Sequence, residues 1–324
     1  MRKITWLVVC LGALSFGTGC ETDYYAKQVL MHDTAQGGLA LDLTGSGAML
    51  IDQKRIDLNP RLAMTDGTEI DVWVIKARPD TPGPARATAL LLHGLKENKA
   101  KYLGAGERLA AMGYDVVLLD FRAHGRSNGE YVTYGAHETK DVKEVMDQLI
   151  GAGTVHGDMY VFGATLGAAT AVRYAAIDPR VKGIVALTPY KDAPSMARRV
   201  LFGAAPAMGE EDFQIVLARA GQLADFDPQT TSTVEAARKV TCPLLLVHAI
   251  LDLGIPIEDS QAIYAAAAGP KELQVVTPGP EQILLASQIA LGGWVPEKLN
   301  QLATKGLAIE PPAPAPAPAP AAGT

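Results

Sequence analysis

From Thr88 onward, short uninterrupted apolar runs alternate with segments of helical length. The run "TALLLH" (88–93) precedes the helical pattern "GAGERLAAMG" (104–113), and the run "YDVVLLD" (114–120) follows it. Apolar runs of this length without polar alternation are typical of strands that are buried on both faces, with helices covering those faces. The alternation therefore predicts an α/β domain with a mostly parallel sheet.

Other segments refine this prediction. The dipeptide Asp66-Gly67, followed by alternating Ile70, Val72 and Val74, is a hairpin signal that predicts an N-terminal antiparallel pair of strands. Between residues 189 and 238 the alternation stops and short helical patterns replace it, which predicts a helical lid insertion. Later strands and helices are expected at 137–150, 159–162, 166–177, 183–188, 243–248 and 272–276.

The two ends of the chain differ from the domain. Residues 20–58 are interpreted as a tether followed by a short β segment, "AMLIDQKRIDL" (48–58), and 59–306 as the folded domain. The tail, 307–324, alternates proline and alanine, which favours an extended, disordered chain.

Residues 1–19 have the layout of a signal peptide, with basic Arg2 and Lys3 before an apolar stretch. The run Gly17-Thr18-Gly19-Cys20 resembles a bacterial lipobox, in which the cysteine is lipidated and becomes the first residue of the mature chain. The resemblance implies a lipid anchor at Cys20 and a location in the bacterial cell envelope, with the membrane as a partner. Cleavage of an ordinary signal peptide nearby is the alternative.

Charge and cysteine content exclude several classes of function. Net charge is −6, and removal of Arg2 and Lys3 leaves 27 basic against 35 acidic residues, or −8, so nucleic acid is not an expected partner. Cys242 is interpreted as a buried, inert thiol at a strand start. The sequence contains no dinucleotide-binding or phosphate-binding glycine loop and no ligand spacing for a metal, so we expect no cofactor and no metal.

Five motifs then occur in a fixed order. They are "LLLHG" (90–94), "DFRAHGRS" (120–127), "GATLG" (163–167), "PLLLVHAILDLGIPIEDS" (243–260) and "ELQVVTPGPEQILL" (272–285). In this order they resemble the α/β-hydrolase fold, close to the serine aminopeptidase-like and small acyl esterase families. The second motif departs from the family pattern because Ala123 stands where a glycine is usual.

The resemblance implies a role for each matching residue. Gly163 and Gly167 are the glycines of the strand-to-helix elbow, and Thr165 stands at the position of the serine nucleophile. The backbone amides of Leu95 and Leu166 match the two donors of the oxyanion hole.

Two of the three expected catalytic groups differ from the family. Asp252 matches the acid, but Gln282 stands where the catalytic histidine is expected, and an amide does not accept a proton near neutral pH. Thr165 also brings a β-branched side chain to a turn where positive φ is expected.

A substitute base is not obvious from the sequence. No histidine follows Asp252, and Glu281 is more simply a solvated loop charge. The six histidines are expected to have structural roles, although His93 lies nearest the predicted site: His32, His93, His124, His137, His156 and His248.

We therefore expect a lipid-anchored envelope protein whose triad is degenerate and which keeps a pocket for a small apolar or acyl ligand. One alternative is an active acyl hydrolase that uses Thr165 with an unconventional base. Another is an envelope interaction protein that uses the domain surface and the Pro-Ala tail.

Overall fold

The computed structural model describes residues 19–31, 47–79, 83–155, 157–250, 252–276 and 293–307. Within these residues, eight strands form one sheet in the order β1-β2-β4-β3-β5-β6-β7-β8. Their bounds are β1 (Arg61–Ala63), β2 (Glu69–Ile75), β3 (Thr88–Leu92), β4 (Asp115–Leu119), β5 (Met159–Ala164), β6 (Val181–Leu187), β7 (Leu244–Ala249) and β8 (Lys271–Val276).

The sheet is antiparallel at its start and parallel elsewhere. β2 pairs antiparallel with both β1 and β4, whereas β3 to β8 form parallel ladders. The hairpin turns at Gly67, whose φ of 86° suits a residue without Cβ, and Thr68 N–H donates to Asp66 Oδ1 over 2.9 Å. The predicted mostly parallel sheet with an N-terminal antiparallel hairpin is confirmed.

Helices cover both faces of this sheet. The strand β3 shows why the apolar runs are uninterrupted. Leu90 and Leu92 pack into the hydrophobic core on one face of the sheet, while Ala89 and Leu91 pack into the core on the other face. The helices are α1 (Gly19–Leu30), α2 (Gly47–Asp52), α3 (Leu103–Ala111), α4 (Ala136–Gly151), α5 (Leu166–Ala175), α6 (Ala193–Phe202), α7 (Glu210–Leu223), α8 (Thr233–Ala237), α9 (Ile257–Ala266) and α10 (Val295–Lys305).

The region before the hairpin differs from our expectation. The β segment expected within residues 48–58 is wrong for its first half, because Gly47–Asp52 form α2 and Leu50 is buried. Only Leu58 forms a bridge, to Val74. The expected tether begins with α1, whose apolar Ala26, Val29 and Leu30 follow helical spacing and are fully buried.

The helical insertion lies between β6 and β7 and contains α6, α7 and α8. Asp192 caps α6 by accepting a 2.7 Å bond from Ser195 N–H. Arg199 of α6 pairs with the buried carboxylate of Asp259 in α9 over 2.8 Å. This ion pair joins the insertion to the helix that follows the loop of Asp252.

Candidate active site

Thr165 occupies the sharp turn between β5 and α5. Its φ of 46° and ψ of −103° place a β-branched residue in a region that is costly for it. The turn persists because Thr165 N–H donates to Leu187 O over 2.9 Å, while Ala169 N–H donates to Thr165 O over 3.0 Å. A strained backbone is therefore held on both sides of the hydroxyl.

The two glycines of the elbow allow its tight packing. A Cβ on Gly163 would lie 2.1 Å from Gly167 O, and a Cβ on Gly167 would lie 2.3 Å from Leu92 O. Both distances are far below van der Waals contact with backbone atoms that have little room to move. The absence of a side chain at both positions lets α5 begin directly against the end of β3.

The hydroxyl of Thr165 is hydrogen-bonded to the backbone of the loop that follows β3. Leu95 N–H donates to Thr165 Oγ1 over 3.1 Å. This contact follows from topology, because β3 and β5 are parallel neighbours with Leu92 paired to Gly163, so the residues that follow them lie at one edge. Leu166 is the first residue of α5, where a backbone amide has no partner within the helix. Donation by Leu95 and Leu166 to a reacting oxygen remains a prediction.

A carboxylate that our sequence reasoning missed lies beside this hydroxyl. Gly94 N–H donates to Glu97 Oε2 over 2.9 Å, and a Cβ on Gly94 would lie 2.7 Å from Thr165 Oγ1 and 3.1 Å from Glu97 Oε2. The two oxygens therefore border the same small space. The only sequence signal for Glu97 was an acidic residue close behind the "HG" pair.

Glu97 is held in its charged form. Burial raises the pKa of its carboxyl, but Lys101 and the Gly94 N–H outweigh burial, so the pKa lies below its usual value. Tyr102 Oη also donates to Glu97 Oε2, over 3.1 Å. The space beside Thr165 Oγ1 thus has a negative charge on one side.

A buried ion cluster supports the loop that carries these groups. The ammonium of Lys99 pairs with Asp71 and Asp120, all three side chains being almost fully buried, and it lies 4.8 Å from the ring centre of Trp73. Lys99 N–H also donates to Asp120 Oδ1 over 2.8 Å. Removing Lys99 would leave two buried carboxylates without their cation, which is strongly destabilising.

His93 has no free nitrogen to serve as a base. Phe121 N–H donates to its Nε2 over 3.0 Å, so the proton is on Nδ1, which donates to Gly94 O over 2.8 Å. Complete burial, helped by the neighbouring His124, lowers the pKa of His93 to about 4. The ring therefore stays neutral and structural.

The other histidines in the described residues make their hydrogen bonds away from Thr165, although Nε2 of His124 is buried without a hydrogen-bond partner. His248 bonds to Ser260 Oγ over 2.7 Å and to Ile255 O over 2.9 Å. His124 Nδ1 lies 2.9 Å from Arg122 O, and His137 Nε2 lies 3.0 Å from Ala224 O. His32 and His156 lie outside the described residues.

Asp252 stabilises its own loop. Its Oδ1 accepts bonds of 2.8 Å from Gly254 N–H and Ile255 N–H. No hydrogen bond joins it to Thr165 in the part of the chain that the structure describes. Gln282 and Glu281 lie outside the described residues, so their proximity to Thr165 remains a prediction.

The two cysteines of the described residues differ in environment. Cys20 is exposed in the first turn of α1, whereas Cys242 is half-buried rather than fully buried as expected. Its partial burial still raises the pKa of its thiol to about 11, which suits an inert thiol. Across the ranges given above, no cluster of metal-ligating side chains occurs. In those same ranges no helix is both long and apolar enough to cross a membrane.

The sheet order and the strained elbow beneath the β3 loop define a protein of the α/β-hydrolase class. Comparison with known proteins agrees. Residues 83–211 match the family described as serine aminopeptidase, S33. The chain therefore has the α/β-hydrolase fold, and its central part is similar to that family.

Individual relatives are distant. The protein YqkD of Bacillus subtilis is 26% identical over 207 residues, which are 62% of this chain and 65% of that protein, just under two thirds of its length. A monoacylglycerol lipase of Mycolicibacterium smegmatis is 26% identical over 268 residues, covering 69% of this chain and 91% of the lipase. The Pyrococcus furiosus esterase Pf2001 superposes with a TM-score of 0.58 at 20% identity, over 78% of this chain and 95% of the esterase.

Proposed function

We propose that this chain is a lipid-anchored protein of the bacterial envelope that binds a small apolar or acyl ligand and hydrolyses it weakly or not at all. One observation carries the proposal. The Thr165 hydroxyl accepts a bond from Leu95 N–H, and none of the imidazoles within the described ranges is hydrogen-bonded to it.

A hydroxyl nucleophile needs a base that takes its proton as it attacks. Gln282, at the expected base position, does not supply one. Loss of the nucleophile or the base costs on the order of 10⁶ in turnover in a serine protease, whereas the oxyanion hole and substrate binding retain about 10³ over water. Faint activity on a bound acyl compound is therefore the expected remainder.

The proposed ligand class rests on relatives and on chemistry. Among the relatives are a monoacylglycerol lipase and an esterase, which by their names act on acyl esters. The backbone amides of Leu95 and Leu166 suit a carbonyl oxygen, and both residues carry buried apolar side chains. An ester or another acyl carbonyl fits both features.

Hydrolysis of short-chain nitrophenyl esters tests the proposal. We expect turnover by the wild-type chain to be close to that of Thr165→Ala. The control is Thr304→Ala, an exposed threonine of α10 whose substitution should leave turnover unchanged. Robust wild-type turnover that disappears in Thr165→Ala would refute the inactive site. The anchor is tested separately by intact mass, where Cys20→Ala should abolish the lipid adduct.

Glu97 favours a second candidate, an acyl hydrolase with a carboxylate base. Its charged Oε2 borders the same space as Thr165 Oγ1, so a single water between them would relay the proton. If this function holds, Glu97→Gln should lower turnover at least about tenfold, whereas the exposed Glu211→Gln should leave it unchanged. Equal rates in the two variants would exclude Glu97 as the base.

A further inference from the structure

Four exposed residues in and directly after α1 form one stripe, with the exposed Glu21 and Gln28 beside it. Cys20, Tyr24, Lys27 and Met31 are all exposed and are spaced by four, three and four residues, which places them along one side of a helix. Tyr24 is 56% exposed and Met31 48% exposed. We call these four residues the α1 stripe. An aromatic, a cationic and an apolar side chain thus follow the proposed lipidation site.

The opposite side of α1 is fixed to the domain. Two carbonyl groups near the end of α1 accept hydrogen bonds from the domain. Tyr134 Oη donates to Val29 O over 2.5 Å, and Val132 N–H donates to Leu30 O over 3.0 Å. One turn from Cys20, Asp23 pairs with Arg219 of α7 over 2.6 Å. No flexible linker therefore separates Cys20 from the folded domain.

The helix α7 adds one large exposed apolar residue near α1, beside the exposed Glu211 and Gln214. Ile215 is 48% exposed and lies one turn before Arg219, on the same side of that helix. Because Arg219 reaches Asp23 of α1, this side of α7 is adjacent to α1. The α1 stripe and Ile215 thus belong to one side of the molecule.

We propose that this side lies flat on a phospholipid bilayer, with the α1 stripe in the interface and α7 of the insertion facing the membrane. The inference rests on the proposed lipid anchor at Cys20. Acyl chains on Cys20 would enter the bilayer directly beside the stripe, and the short distance to the domain prevents it from turning away. Tyrosine is favoured at the membrane interface, lysine extends its ammonium to the lipid phosphates, and methionine enters the acyl boundary.

Depth-dependent fluorescence quenching tests this orientation. The full chain, processed in a bacterial host, is labelled with bimane at Tyr24→Cys or Met31→Cys in a Cys242→Ala background and bound to phosphatidylethanolamine and phosphatidylglycerol vesicles. Thr304→Cys in α10 is the matched control, because α10 packs into the core on the other face of the sheet. Brominated phospholipids should quench positions 24 and 31 about twofold or more and leave position 304 unchanged.

Intact mass of each preparation separates the two proposals. An unmodified Cys20 would overturn the anchor and with it this orientation. Acylated, vesicle-bound protein without quenching at positions 24 and 31 would overturn the orientation alone and leave the anchor standing. Equal quenching at 24, 31 and 304 would also contradict it, because it would mean that the domain tumbles on its anchor.

Discussion

The backbone N–H of Leu95 lies 3.1 Å from the hydroxyl oxygen of Thr165 and donates to it. In an acyl hydrolase an amide at this position would be needed by the substrate oxygen, so an acyl group must displace the threonine hydroxyl from it. The contact connects the two halves of the candidate site, because Leu95 follows β3 and Thr165 follows β5.

The close approach of α5 to β3 predicts opposite effects for two helical glycines. Gly167 and Gly104 are each the second residue of a helix, but a Cβ on Gly104 meets no atom within 4 Å. We expect Gly167→Ala to lower the free energy of unfolding by about 3 kcal/mol or more, because the clash is with backbone. Gly104→Ala should raise it by about 0.5–1 kcal/mol. Urea unfolding measures both, and equal effects would contradict the elbow packing.

The backbone strain at Thr165 predicts that Thr165→Ser stabilises the fold. Serine keeps the hydroxyl for Leu95 N–H but removes the β-branch that is unfavourable at a φ of 46°. We expect the free energy of unfolding to rise by about 0.5–1 kcal/mol, a fraction of the cost of such an outlier. The exposed Thr304→Ser in α10 is the control and should change it by less than about 0.5 kcal/mol. If Thr165→Ser is instead less stable, the packing energy of the threonine methyl group must exceed the energy cost of the strained backbone.

Burial of neutral His93 predicts a loss of stability in mild acid. Its pKa is lowered from 6.5 to about 4 in the folded chain, so the unfolded chain binds the proton more readily. The stabilisation is complete above pH 6.5 and is lost as the pH falls towards 4. Between pH 7.5 and 4.5 the His93 contribution to the free energy of unfolding should fall by about 2.5 kcal/mol.

Urea unfolding of wild type and His93→Gln at the two pH values isolates this contribution. The variant should be less stable at pH 7.5, because it loses the bonds to Phe121 and Gly94. Its further loss on acidification should be smaller than that of the wild type. An identical pH dependence in the two proteins would show that His93 does not titrate in this range.

Hydrolytic activity should return only when the nucleophile and base positions of the triad are changed together. Thr165→Ser supplies the usual nucleophile and Gln282→His the base, and such groups act as a unit. The double variant should hydrolyse nitrophenyl esters at least about a hundredfold faster than wild type and react with a fluorophosphonate probe, whereas neither single variant should recover fully.

The double variant Thr165→Ala with Gln282→His is the matched control and should stay inactive. A correctly folded repaired variant with no activity would show that the pocket no longer places its three groups together. It would also imply that Asp252, which stabilises its own loop through Gly254 and Ile255, no longer orients a base.

Local patterns in the sequence determined the sheet, the hairpin and the elbow. Uninterrupted apolar runs such as 88–92 are characteristic of strands buried on both faces, and Asp66-Gly67 specifies a turn through local backbone preference. The spacing of Gly163, Thr165 and Gly167 also has a physical reason. Backbone atoms lie so close to Gly163 and Gly167 that neither position has room for a side chain. The strands and the turn depend on neighbours in sequence, and the elbow is recognised by its residue spacing even though Gly167 meets Leu92 of β3, so all three can be predicted from the sequence.

Tertiary structure alone decided what surrounds the Thr165 hydroxyl and where the first helix lies. Glu97 bonds to Gly94 within its own loop, but this loop meets Thr165 only because β3 and β5 are parallel neighbours. Nδ1 of His93 bonds to the adjacent Gly94 O, but its Nε2 meets Phe121 N–H only when β3 and β4 pair. The helix α1 was missed because its burial depends on α7, almost two hundred residues later. Contacts between distant segments determine such features, and no local preference encodes them.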